Sequence, residues 1–246
     1  MLSKAKIRLI KSLELKKFRD ETRLFVAEGP KVVDELLKVT SAEMIVATQE
    51  WASSHDVETE IEIVDEEQLR KLSFQKHPQQ VLAVFPQLPA TEEFPTDELC
   101  LALDGIQDPG NLGTIIRIAD WFGIAHIFCS KDCVDVFNPK TVQATMGSLA
   151  RVNVSYTDLL TLTDSLPSDF PVYATLLDGD NIYDQPLSEN GLIVMGNEGK
   201  GISMALRNKI NRRLLIPSYP TDSPTAESLN VAIATAIVCA EFRRRS

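Results

Sequence analysis

The sequence predicts an α/β chain in two parts: a small α/β domain at residues 1–88, and a larger domain at residues 98–246 built on a parallel sheet. Three observations carry this. Short apolar runs bounded by turn residues alternate with helical segments, as strands joined by crossover helices do. Residues 86–97, PQLPATEEFPTD, hold three prolines and no apolar periodicity, the composition of a linker. Near the C-terminus two apolar runs end in loops, and in open parallel sheets ligands bind in the crevice beyond the strand ends.

The first part opens with residues 3–20, SKAKIRLIKSLELKKFRD, where Ile7, Ile10 and Leu13 share one helical face and lysines and arginines occupy the rest. RLFVAEG reads as a strand, and Pro30 starts a helix through Leu37, since proline is tolerated in the first turn. MIVAT, a helical piece around Trp51, EIEIV, a helix from Asp65 and VLAVF complete the unit. In the second part LCLALD is a buried strand, followed by Asp108-Pro109-Gly110 as a turn with Asn111 as the N-cap of a helix from Leu112. Arg117 then falls near Asn111 and Gly113 at roughly helical spacing, so strand end, cap and guanidinium could converge. A capped helix with a surface arginine has the same pattern. AHIFC, a helix from Asn138-Pro139-Lys140, VNVSY and PVYATLL continue the alternation. LIVM breaks into the loop Gly196-Asn197-Glu198-Gly199-Lys200-Gly201. Leu214 to Ile216 stop at Pro217, and Ser228 or a neighbour caps a long apolar final helix.

Bulk properties narrow the function. The chain has 246 residues and 27.3 kDa, 44% hydrophobic and 24% charged, an ordinary soluble composition. No apolar run is as long as a membrane span and the N-terminus has no signal-peptide core, so a cytoplasmic protein without a membrane segment is expected. Cys100, Cys129, Cys133 and Cys239 form no CxxC pair and read as buried thiols, and no metal-ligand set is present. The net charge of −10 opposes nucleic-acid binding over the whole surface. The charge is uneven, however. Residues 1–38 hold ten basic against six acidic side chains, whereas residues 39–110 hold three against fifteen. A local basic footprint from the N-terminal helix, Lys140, Arg151, Lys200 and Arg207 is compatible with RNA.

The glycine loops do not match known phosphate binders. GNEGKGIS lacks the spacing of GxxxxGK[ST], and Gly199-Lys200-Gly201 is not followed by the third glycine of GxGxxG. Glycines that let backbone approach closely suit a flat, mostly neutral ligand such as an adenosyl group.

Taken together, the motifs DPGNLGTIIRIAD, LIVMGNEGKGIS and IPSYPTDSPTAESLNVAIA resemble, in order, the three motifs of the SpoU (TrmH-like) branch of the SPOUT superfamily of RNA 2′-O-ribose methyltransferases. The N-terminal part resembles the small L30e-like substrate-binding domain that many members carry. The resemblance implies a C-terminal domain with a deep trefoil knot, S-adenosylmethionine as cofactor, an rRNA or tRNA substrate, and a homodimer formed through the knotted region. It also implies site residues. Asn111, Arg117, Glu198, Ser228 and Asn230 carry the chemistry, and Gly196, Ile216 and Leu229 hold the cofactor largely through backbone groups. A guanidinium stays protonated, so Arg117 is better suited to clamping a phosphate and orienting the ribose than to taking a proton. Two other readings are open to the sequence. One is a non-catalytic RNA-binding or ribosome-assembly protein that kept the fold, which the long, glycine-free loop at 218–227 would accompany. The other is a small-molecule methyltransferase, which would suit the acidity.

Overall fold

A computed structural model describes residues 2–91, 93–220, 226 and 228–244. The chain divides into two compact units, Met1–Pro89 with Asp135–Ala150, and Ala90–Val134 with Arg151–Ser246. Asp135–Ala150, which lies within the expected 98–246 domain, groups with the first unit.

The first unit begins with the predicted basic helix in two pieces, α1 (Lys4–Ser12) and α2 (Lys16–Thr22). It continues with β1 (Leu24–Glu28), α3 (Pro30–Leu37), β2 (Met44–Ala47), α4 (Gln49–Ser54), β3 (Ile61–Ile63), α5 (Glu66–Leu72) and β4 (Val81–Pro86). Its sheet has the order β1-β4-β2-β3, with β4 antiparallel to both neighbours and β2 parallel to β3. Strand alternation divides the side chains. Val26, Val46, Leu82 and Val84 face one way and cluster with Ile10, Leu13, Leu69 and Leu72 of the helices. Phe25, from the opposite face of β1, meets Phe85 and Phe137 at centroid distances of 5.9 and 4.9 Å. Phe137 precedes the helix Pro139–Thr145, α7 in chain order, which packs on β1 and α3.

A buried cation fixes the α1–α2 corner. Arg19 is 1% exposed. Its Nη1 donates to the carbonyls of Leu13 and Glu14 at 2.8 Å, and its Nε and Nη2 donate to Asp135 Oδ2 at 2.9 and 2.7 Å. Burying a guanidinium is tolerated only when its donors and charge are met this way.

The second unit contains β5 (Leu99–Asp104), α6 (Pro109–Trp121), β6 (His126–Cys129), β7 (Asn153–Tyr156), α8 (Leu159–Ser165), β8 (Val172–Asn181), β9 (Gly191–Gly196), α9 (Met204–Arg207), β10 (Arg212–Leu215) and α10 (Val231–Arg244). Its six strands are all parallel in the order β10-β8-β9-β5-β6-β7. The predicted α/β class with a parallel sheet is what the structure has. The central strands β5 and β9 read as continuous apolar runs because both faces are covered. Cys100, Ala102, Leu192 and Val194 form one core with Ile202, Leu206 and Ile210. Part of the stretch read as linker also belongs to this unit. Phe94 packs on Phe128 and Phe170, and the backbone of Thr91 bonds Asn153 and Ser155 beside the edge strand.

One predicted cap shifts, and the other falls to a neighbour of Ser228. α6 starts at Pro109 and is capped by Asp108, whose Oδ1 accepts from the Asn111 N–H at 2.8 Å. Proline needs no N–H partner at the first helical position, so the cap moves one turn upstream and leaves the Asn111 side chain unused by its own helix. At α10 the capping oxygen belongs to Asn230, which accepts from Ala232 and Ile233 N–H at 3.0 and 3.3 Å. Ser228 caps nothing among the described residues.

Candidate active site

The carboxyl ends of β8, β9 and β10 and the start of α10 enclose a cavity of about 600 Å³. One wall comes from a break in strand pairing. Arg212 and Arg213 of β10 pair with Tyr173 and Ala174, but Leu214 and Leu215 pair with Asp180 and Asn181, so residues 175–179 leave the ladder. Thr175, Leu176, Leu177 and Asp178 of that excursion line the cavity. Gly179 closes the excursion where β10 runs so near that a Cβ would sit 2.5 Å from the Leu214 carbonyl carbon. At the mouth Asp178 accepts from Arg207 at 2.6 Å and from Arg213 at 3.1 Å. Desolvation raises the Asp178 carboxyl, but the bonds and charges of the two arginines prevail and hold it below its ordinary value.

The opposite wall is the loop after β9. Asn197 and Gly201 bond each other's backbones at 3.0 and 2.8 Å, closing a tight turn. Inside the turn Asn197 Oδ1 accepts from the N–H groups of Gly199 and Lys200 at 2.9 and 3.0 Å, while its Nδ2 donates 2.7 Å to the Gly105 carbonyl in the loop after β5. Asn197 thus shapes one loop and ties it to another, a role the sequence reading did not assign. The signal was there in an asparagine followed by Glu-Gly-Lys-Gly, since Asx side chains bond their own backbone two residues on. A Cβ on Gly196 would lie 2.5 Å from the Gly201 carbonyl carbon and the Ile202 nitrogen, so no other residue fits there without opening the turn.

The structure brings together most of the residues singled out from sequence. Gly196, Glu198, Ile216, Ser228 and Leu229 all line the cavity. Asn111 Nδ2 donates to Glu198 Oε1 at 2.5 Å, and Asn230 Nδ2 donates to Asn111 Oδ1 at 3.0 Å. One chain of hydrogen bonds therefore links the first turn of α6, the loop after β9 and the cap of α10. Arg117 does not join it. Six residues beyond Asn111, at about 100° per residue, it points roughly 120° away around α6. It is exposed, lies outside the cavity lining, and has no partner among the described residues. Trp121, one turn further, shares its stripe and is 84% exposed. Of the cations grouped from sequence, Arg151 is committed to Asp120 at 2.8 Å and Arg207 to Asp178. Most of the loop at 218–227 lies outside the described residues. Among the described residues no group of His, Cys, Asp and Glu is placed to hold a metal ion, and no helix is long and apolar enough to cross a membrane.

Comparison with known proteins gives the family. Residues 98–240 match the model of the SpoU rRNA methylase family. The chain belongs to that family. Residues 4–83 match the MRM3-like substrate-binding domain. Over 243 residues the chain is 35% identical to the Bacillus subtilis 23S rRNA (guanosine(2553)-2′-O)-methyltransferase RlmP, covering 97% of this chain and 96% of that protein. A Porphyromonas gingivalis protein described as a TrmH-family RNA methyltransferase superposes with a TM-score of 0.90 at 43% identity, each chain covered in full. An AdoMet-bound rRNA methyltransferase from Sinorhizobium meliloti gives 0.87 at 32% identity, covering 100% of this chain and 96% of that one.

Proposed function

We propose that this chain is an S-adenosylmethionine-dependent methyltransferase that methylates a ribose 2′-hydroxyl of rRNA in the cytoplasm. The observation that carries the proposal is the Asn230–Asn111–Glu198 chain of hydrogen bonds, which joins all three family motifs at the rim of one cavity. The cavity fits the cofactor. Its volume of about 600 Å³ is in the usual range for small-ligand sites. Leu176, Ile216 and Leu229 supply apolar walls for a flat ring, and the bare edge of Gly196 lets a ligand lie against backbone. When bound there, S-adenosylmethionine supplies an electrophilic methyl on a sulfonium. The chain's own residues supply position. Asn197 holds the loop after β9 in register, and Glu198 fixes the Asn111 amide, which with Ser228 faces the incoming nucleotide. Arg117 clamps a phosphate and orients the 2′-hydroxyl. In-line attack gains most of its rate from such alignment.

The same reading assigns a homodimer. Trp121 on α6 and Ile233 on α10 are 84% and 53% exposed on two helices that pack together. A second copy seated on this face buries both and carries Arg117 to the partner's cavity, which accounts for its absence from its own. The family's trefoil knot is part of the proposal too. In its support, α10 starts beside Asn111 near the middle of the sheet although β10, the strand before it, forms the edge. The N-terminal unit binds the RNA, with Lys4, Arg8 and Lys16 exposed on α1 and α2 for phosphate contact.

The test is ribose-methylation mapping of rRNA and tRNA from a deletion strain and its parent. The expected result is one 2′-O-methyl mark lost from rRNA, restored by the wild-type gene and not by Arg117→Ala. A lost tRNA mark would move the substrate, and no lost mark with no S-adenosylmethionine binding would overturn the activity.

A further inference from the structure

The N-terminal unit holds a second cavity, of about 960 Å³, that the methyl-transfer site does not use. It lies at one end of the four-stranded sheet, where β1, β2 and β3 all finish and β4 begins. Pro30, Ile63, Leu69 and Pro78 give it apolar walls, and Ile63 is 53% exposed within it. Its polar groups are mainly amides and carboxylates: Gln49, Gln79 and Gln80 with Glu50, Asp65 and Glu66.

The backbone at the rim is held under strain. Gln80 has φ +42°, a left-handed conformation that glycine or asparagine would adopt at lower cost. Its carbonyl accepts from the Thr48 N–H at 2.7 Å, so the conformation is pinned. Neither the Gln79 nor the Gln80 side-chain amide has a hydrogen-bond partner among the described residues. Thr48 Oγ1, which also lines the cavity, is buried and unpaired. A strained backbone and a buried, unmet hydroxyl, with two amides free to bond, mark this cleft as a place kept for a ligand rather than for stability.

The chemistry of the lining selects the ligand. Three carboxylates against the one guanidinium of Arg70 repel phosphate. Apolar aliphatic and proline side chains beside amides and carboxylates suit a neutral group with N–H donors and carbonyl acceptors at its rim. Proteins read single-stranded RNA by splaying such groups out, stacking them and bonding their edges. We propose that this cleft receives one unpaired nucleobase of the RNA substrate, with Gln79 and Gln80 bonding its edge. The inference rests on the reading of the chain as an RNA methyltransferase.

The experiment uses the full chain and, as probe, rRNA from a strain lacking the gene. Gln80→Gly removes the amide and relieves the backbone, Gln80→Asn keeps a shorter amide in a conformation asparagine tolerates, and Gln79→Ala provides a second site. Losing the edge bonds lowers rRNA affinity by about five- to tenfold in Gln80→Gly, with Gln80→Asn intermediate. The melting temperature does not fall, S-adenosylmethionine affinity is unchanged, and ultraviolet crosslinks map a nucleotide to the peptide carrying Gln79 and Gln80. Undiminished rRNA binding by both the Gln80→Gly and Gln79→Ala variants, with crosslinks only on other peptides, overturns the cleft and leaves the methyltransferase reading standing. A parallel fall in affinity and melting temperature overturns it by making Gln80 structural. Failure of the wild-type chain to bind rRNA removes the RNA reading itself, and this inference with it.

Discussion

Glu198→Ala cuts the hydrogen-bond chain at its charged end, and its effect can be sized from the structure. The carboxylate accepts from Asn111 Nδ2 at 2.5 Å, and Asn111 Oδ1 accepts from Asn230 Nδ2 at 3.0 Å. Hydrogen bonds to charged groups are worth about 1.5–3 kcal/mol net. Both Glu198 and Asn111 are half-buried, which favours the lower half of that range. A loss of about 1.5–2 kcal/mol corresponds to roughly 10- to 30-fold in kcat/KM for methyl transfer. Glu198→Gln keeps the shape and one acceptor oxygen, so its loss is about threefold. The assay is single-turnover transfer of labelled methyl to rRNA from the deletion strain, with S-adenosylmethionine affinity followed by calorimetry. Asn111→Ala and the double variant complete a cycle. If Glu198 acts by holding the Asn111 amide, the coupling is about 1 kcal/mol or more, because each single change already removes the bond. Strict additivity would refute the reasoning: Glu198 would then act on the nucleotide or cofactor by itself, and the joining of the three loops would be incidental to catalysis.

Three further expectations follow from contacts in the two units. Gly196→Ala, which forces a Cβ to 2.5 Å from loop backbone, should abolish S-adenosylmethionine binding in calorimetry; binding within twofold of wild type would show that the turn opens freely. Arg19→Met leaves Asp135 without its partner in a site where the arginine side chain is 2% exposed, and should cost about 3 kcal/mol in chemical denaturation, with a loss below about 1 kcal/mol counting against a buried ion pair. Glu28 is raised above the usual carboxylate range by burial, which the hydrogen bonds from Ser73 and the Phe74 N–H only partly offset. A raised acid binds more protons when folded, so its contribution to stability is full below its unfolded pKa and is lost as pH rises through the folded one. Wild type should therefore lose stability relative to Glu28→Gln between acidic and neutral pH, and a flat or rising difference would contradict the assignment.

Much of the fold was legible because apolar runs and prolines act locally. The boundaries of α3 at Pro30 and Leu37 follow from proline chemistry and an amphipathic face alone. The all-parallel second sheet follows from unbroken apolar strands alternating with helices. The site was legible to a different degree. Spacing places Asn111, Glu198 and Asn230 in three separate elements, 119 positions apart from first to last, and nothing local says that they meet; only the resemblance of three motifs brings them together. The shift of the α6 cap from Asn111 to Asp108 was readable in principle, since Pro109 can fill the first helical position. The excursion of residues 175–179 was not, because it depends on where β10 rejoins the ladder. Arg117 shows the limit of spacing arguments in the other direction: six positions sounds near, but on a helix it is most of a half-turn away.

The passage of Asp135–Ala150 into the first unit bears on how such a chain can be taken apart. A truncation at the proline-rich stretch, the natural place to cut, would release a fragment still carrying α7 and the turn after it. Val142 and Leu149, 1% and 4% exposed in the whole protein, would lose the surface they cover, and the removed piece would leave Phe25 without Phe137. Grafting a foreign recognition module onto this catalytic unit therefore needs two compatible seams, one at the linker and one around α7. Exchange of modules between family members should succeed chiefly where the α7 segment travels with its N-terminal partner, and a chimera joined only at residue 90 should express poorly and aggregate through that helix.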